Sequence, residues 1–112
     1  MGCRCGRSSG ALPGALLRFA DLIERQLGLF RQDCGDLIDA CAAAERAYDR
    51  ARREEAEERY AEYLELVEEG SDALAEIRDA YASTLEPEAA EEYVHRFDQE
   101  VGRRLPRFVL GL

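Results

Sequence analysis

The chain has 112 residues, a formal net charge of −9 and 46% hydrophobic residues, a length that suits one domain with a modest core. Its acidic charge repels phosphate groups and anionic lipid, and no apolar stretch approaches the roughly 20 residues that a membrane span requires. We therefore expect neither a nucleic-acid partner nor a membrane partner.

Residues 1–12 are rich in glycine, serine and arginine, and we predict a flexible N-terminal tail there. Cys3 and Cys5 form a Cys-x-Cys pair that could hold a metal or take part in regulatory thiol chemistry. No second pair of this kind and no histidine lies nearby, so a tail without a site is the preferred interpretation. The cysteine usage of the whole chain suits a reducing compartment, which predicts a cytoplasmic protein.

A long first helix is predicted for residues 13–50. Pro13 suits a first-turn position, and Gly28 and Gly35 interrupt neither the apolar register nor its phase. Cys34 and Cys41 lie two turns apart on the same stripe, roughly 10 Å, too far to bridge, so we expect buried free thiols. The stripe recurs every seven residues at Leu16, Ile23, Phe30, Leu37, Ala44 and Ala51.

Beyond residue 51 the same register falls on carboxylates. One straight amphipathic helix cannot present an apolar stripe and then an acidic one to the same core, so we predict a tight antiparallel turn near residues 49–54. The alternative is one very long helix that changes partner in an oligomer, because residues 45–62 contain no Gly, Pro, Ser, Thr or Asn. The carboxylates are Glu55, Glu58, Glu62, Glu65, Glu69, Asp72, Glu76 and Asp79.

Two further helices follow. The second, over residues 54–83, has a register of its own through Tyr60, Val67, Leu74 and Tyr81, which turns the acidic set toward water. The third is predicted for residues 87–104, between the proline at its first position and Pro106. The apolar end, residues 106–112, is either a strap that closes the bundle or a short docking peptide.

These elements predict an all-α fold in which a long antiparallel helical hairpin carries a third, C-terminal helix packed on its base, with coiled-coil-like packing. Residues 13–105 form a single helical domain in this scheme. Small side chains such as Ala44, Ala47 and Ala51 let the two hairpin helices approach closely near the turn. We therefore expect a three-helix base and a two-helix arm that buries little area.

No catalytic or cofactor motif is evident, so we expect a protein that is not an enzyme, carries no cofactor and acts by association. The expected partner is a second copy in a homodimer or another protein in an adaptor or scaffold. The expected interface residues lie on the arm and on the apolar tail. They are Tyr48, Ala51, Tyr60, Tyr63, Phe108 and Leu110.

A metal site is the alternative function. Glu92 and His95 have the Glu-x-x-His spacing by which a helix gives two ligands to a carboxylate-bridged di-iron site. Such sites use the motif twice, and His95 is the only histidine, so a symmetric dimer would have to supply the second copy.

Overall fold

The computed structural model describes residues 19–109, and its regular elements are all helical. They are α1 (Ala20–Asp33), α2 (Gly35–Asp49), α3 (Arg53–Ala82) and α4 (Pro87–Arg104), followed by a 3₁₀ helix (Pro106–Phe108). The all-α prediction is thereby confirmed. Among the described residues, no helix combines the length and the apolar character needed to cross a membrane.

The first predicted helix is divided, which corrects the expectation of one helix over residues 13–50. Cys34 leaves helical geometry with φ −113° and ψ 26°, and it separates α1 from α2. The hydrogen bonds of the helix nevertheless continue across it, since the Cys34 N–H donates to Phe30 O at 2.8 Å and the Ile38 N–H donates to Cys34 O at 3.0 Å. Because these hydrogen bonds continue, the spacing of apolar residues also continues across Cys34. Residues 13–18 lie outside the described part of the chain.

The helical path stops between Asp49 and Arg53, within the stretch where the acidic register predicts a turn. The Ala51 N–H donates to Tyr48 O at 3.1 Å, and Arg52 is extended with ψ 160° before α3 begins. From there α3 runs for 30 residues without a break. Glu54 and Glu55 in its first turn are favourable beside the positive end of the helix dipole.

The fourth helix has the bounds that the sequence predicts for its third helix, 87–104. Pro87 stands at its first turn, where a missing N–H costs nothing, and Arg103 and Arg104 occupy its last turn. The chain then turns at Leu105 into the 3₁₀ helix, whose Phe108 N–H donates to Leu105 O at 2.9 Å.

Side-chain contacts show how the helices lie against one another. Near the turn, the ring of Tyr48 on α2 meets Tyr60 on α3 with centroids 5.3 Å apart. At the other end, Tyr93 on α4 contacts Tyr81 on α3 at 4.9 Å and donates a hydrogen bond to Gln26 on α1 at 2.8 Å. Late residues of α2 therefore face early residues of α3, while α4 meets both the late residues of α3 and α1.

The core is concentrated where three helices meet. No residue from Ala42 to Glu69 is fully buried. We refer to residues 42–69 as the arm and to residues 19–41 and 70–109 together as the base. The buried apolar residues all belong to the base and are Phe19, Ile23, Leu27, Phe30, Cys41, Leu74, Tyr93, Phe97, Val101, Leu105 and Phe108.

Candidate interaction surface

Three tyrosines form a connected aromatic group on the arm. Tyr60 and Tyr63 are one turn apart on α3, with ring centroids separated by 6.3 Å, and Tyr48 reaches Tyr60 from across the turn. Tyr48 and Tyr60 remain 40% and 46% exposed, so their mutual contact leaves much of each ring in water. Exposed aromatic rings with a polar tip are typical of protein interfaces.

Leu64 extends this group along α3. It stands four residues after Tyr60 on the same side of the helix and is 45% exposed. We call Tyr48, Tyr60 and Leu64 the arm patch. Leu64 is not among the interface residues expected from the sequence, although its spacing of four residues from Tyr60 is a signal for it.

Tyr63 and Ala51, two other expected interface residues, are half-buried and lie at the edges of the arm patch. The guanidinium of Arg107 sits 5.8 Å from the Tyr63 ring centroid, within range of a cation–π contact. The same guanidinium donates to a carboxylate oxygen of Glu45 at 2.6 Å. Arg107 thereby ties the segment after α4 to both helices of the arm.

Phe108, expected at an interface, is 1% exposed. Its ring packs edge-on against Phe30 at 5.8 Å and directly over Gly70, where a Cβ would collide with the ring. Phe108 therefore closes the base as a strap residue and is unavailable to a partner while it is seated. Val109 after it is 41% exposed, and Leu110 lies outside the described residues.

The metal candidates Glu92 and His95 lie on α4. His95 is exposed, and it borders a surface hollow whose carboxylates are Glu91 and Asp98 rather than Glu92. Asp98 is itself paired with Arg78 at 2.9 Å. Glu92 has one enclosed carboxylate oxygen without a hydrogen-bond partner in the structure. Within residues 19–109, no group of three or more His, Cys, Asp or Glu side chains is arranged to hold a metal ion.

The two described cysteines are free thiols, but only Cys41 is buried as predicted, and Cys34 is not. Cys41 is fully enclosed, and burial raises the pKa of its thiol, while Arg107 opposes that rise. Cys34 is half-buried and borders an apolar groove of about 510 Å³ between α1 and α3, together with Leu29 and Ile77. Cys3 and Cys5 lie outside the described residues.

Comparisons of the chain with protein-family models, with curated proteins and with solved structures gave no match.

Proposed function

We propose that this protein acts by associating with another protein chain, as an adaptor or scaffold or as the subunit of a homodimer, and that the arm patch is its contact surface. The observation that carries the proposal is the exposure of Tyr48, Tyr60 and Leu64 side by side on a two-helix arm. Clustered aromatic and aliphatic side chains left in water are a recurring mark of an interaction site.

The proposal includes the architecture that presents this patch. We propose a helical hairpin with coiled-coil character, in which α2 runs antiparallel to α3 and α4 packs on the base. The contact of Tyr48 with Tyr60 near the turn supports the antiparallel path, and the contact of Tyr81 with Tyr93 supports the packing of α4. A rigid hairpin would hold the patch away from the base, where a partner can reach it.

The chemistry of the rest of the surface agrees with a protein partner. The net charge of −9 opposes binding to nucleic acid or to anionic membranes. The free thiols of Cys34 and Cys41 are compatible with the cytoplasmic location that we propose. We propose no catalytic activity and no cofactor for the protein.

The test is a capture experiment from a lysate of the native host with the tagged full chain as bait. The patch variant carries Tyr60→Ala and Leu64→Ala, two exposed positions whose truncation leaves the core intact. Leu29→Ala is the matched control, because Leu29 is a similarly exposed apolar residue, 50%, outside the arm. A second copy of the chain with a different tag is added as a further potential partner.

Proteins retained by the wild type and the Leu29→Ala control but lost by the patch variant are the expected result. Truncation of central aromatic and aliphatic contacts is expected to weaken binding by about 2 kcal/mol or more, enough to lose a retained protein on washing. Equal retention by all three baits would contradict the proposal.

A further inference from the structure

Building on the association proposed above, we infer that the arm patch binds a second copy of this chain in an antiparallel arrangement, α3 against α3, with the arginine-rich turn of each copy against the acidic middle of α3 in the other. Three observations carry this inference: the spacing of the exposed stripe, the separation of unpaired charges along α3, and the extent of α3 that the base leaves uncovered.

The exposed stripe has the spacing of a coiled-coil seam. Tyr60 and Leu64 stand at its centre, and the positions on either side alternate in steps of four and three residues. This spacing reads the same in both directions about residue 62, which is the symmetry that a two-fold axis across two antiparallel helices requires. The stripe consists of the exposed residues Arg53, Glu57, Tyr60 and Leu64 and the half-buried residues Val67 and Ser71.

Pairing about that axis puts unlike apolar groups together. Each Tyr60 ring would lie against Leu64 of the other copy, so the dimer would contain two equivalent contacts between Tyr60 and Leu64. Val67, half-buried in the single copy, would be covered by the aliphatic part of Glu57. Tyr48, already in contact with Tyr60, would border the seam.

Two exposed arginines lie at the start of the stripe, followed by the exposed carboxylates of Glu54, Glu55 and Glu57, and the other end of the stripe is acidic. Arg52 and Arg53 are exposed and form no ion pair within residues 19–109. The same holds for the exposed carboxylates of Glu68 and Asp72. Arg53 and Asp72 are separated by about 28 Å along one helix, so they cannot pair within a single copy.

Charge decides the orientation. An antiparallel pair about residue 62 places Asp72 of each copy opposite Arg52 of the other, with Glu68 about one helical turn from the arginines, and it does so at both ends of the seam. A parallel pair would align arginine with arginine and carboxylate with carboxylate, which is destabilising. One chain thus carries Arg52 and Asp72 at equal distances on either side of the apolar centre, which is why a second copy fits it.

The base sets the length of the seam. Leu74 is fully buried beneath the neighbouring helices, so the free face of α3 runs from Arg53 to about Ser71, roughly 27 Å at 1.5 Å per residue. Along this length the 3₁₀ helix contacts α3 at Tyr63 and Gly70, which lie beside the stripe, and no residue of the arm is fully buried. A second arm would supply the missing layer.

Charge reversal in the full chain tests the arrangement. One variant carries Arg52→Glu and Arg53→Glu, and the other carries Glu68→Arg and Asp72→Arg. All four positions are exposed, and a glutamate is favourable at the start of α3, so both variants are expected to fold, which circular dichroism checks. Self-association is measured by analytical ultracentrifugation from low to high micromolar concentration, at low and at high salt.

The wild type is expected to dimerise, and each variant alone is expected to raise the dimer Kd at least about tenfold, with a larger difference from the wild type at low salt. An equimolar mixture of the two variants is expected to restore the wild-type Kd, because both ends of the mixed dimer then carry opposite charges. Variants that dimerise as tightly as the wild type, or a mixture that stays monomeric, would overturn the arrangement.

A wild type that remains monomeric throughout the range would overturn the inference of a second copy. The association function is judged separately, since the capture experiment then shows whether the arm patch holds a different protein. Tyr60→Ala with Leu64→Ala, which removes the apolar centre and leaves every charge in place, is expected to abolish the dimer at both salt concentrations.

Discussion

The base and the arm are made of similar helices, yet they differ in what covers them. In the base, α1, the late half of α3 and α4 surround side chains such as Tyr93, Phe97 and Val101, none of which has measurable exposure. In the arm only two helices meet, and its large apolar side chains Tyr60 and Leu64 stay almost half exposed. The two regions differ because the base has a third layer of helix that covers its side chains, and not because their helices differ in kind.

The shape of the molecule reflects this difference. Its radius of gyration is 17.7 Å and its longest extent is 58 Å. A compact domain of about 100 residues has a radius of gyration near 13 Å. The described part of the chain is therefore elongated, and its residues from Ala42 to Glu69 have little burial.

The two regions are expected to differ most in how far the free energy of unfolding falls when a large apolar side chain is truncated. Phe97→Ala in the base should lower the free energy of unfolding by about 3–5 kcal/mol, because it leaves a cavity among fully buried neighbours. Leu64→Ala in the arm should change it by less than about 0.5 kcal/mol at concentrations where the chain is monomeric. Urea unfolding followed by circular dichroism measures both, and similar losses at the two positions would remove the distinction between base and arm.

A smaller effect is expected at Gly70, where the strap crosses α3 at the border of the two regions. A Cβ at this position would collide with the Phe108 ring, so Gly70→Ala should cost about 1–3 kcal/mol. In a Phe108→Ala background the same change should instead stabilise the protein by about 0.5–1 kcal/mol, because alanine favours the helix. Urea unfolding of the four proteins in this double-mutant cycle measures the coupling. Additive effects would show that the ring is not seated on Gly70.

The smallest expected effect concerns alkaline pH. Burial raises the pKa of Tyr93 from 10.0 to about 12, despite its hydrogen bond to Gln26. In the unfolded chain Tyr93 ionises near pH 10, whereas in the folded chain it keeps its proton until about pH 12. Stability from this group is complete below pH 10 and is lost as the pH rises from 10 toward 12.

Tyr93→Phe should therefore reduce the fall in the free energy of unfolding above pH 10, as measured by urea unfolding at a series of pH values. In a spectrophotometric titration it should also remove a phenolate component with a midpoint near 12. Tyr60→Phe in the arm is the matched control and should retain that component. Its persistence in Tyr93→Phe would assign it to another tyrosine and contradict the burial argument.

Local signals in the sequence account for several element boundaries. Pro87 and Pro106 restrict the backbone at fixed places, and α4 begins at the first and ends shortly before the second. The change from an apolar to an acidic register predicts the interruption between Asp49 and Arg53, since an amphipathic helix must keep one face toward its partner. These features depend only on residues close together in the chain.

The division at Cys34 could not be predicted from the sequence, because the periodicity of apolar residues continues through it. The apolar register is continuous through Cys34 and Gly35, and the hydrogen bonds on either side of the break are those of a helix. A one-residue departure of this kind leaves no mark on periodicity. It became visible only in the backbone angles of Cys34.

By itself, then, the sequence determined that the chain is helical and where several helices begin and end, because periodicity and proline act over a few residues. Only the tertiary structure decided which apolar side chains are covered. Phe108 is buried because Gly70, far away in the sequence, leaves room for its ring, whereas Leu64 stays exposed although Arg107, the residue before Phe108, contacts the ring of its neighbour Tyr63. Burial depends on which distant segments meet, and that is settled by packing in three dimensions.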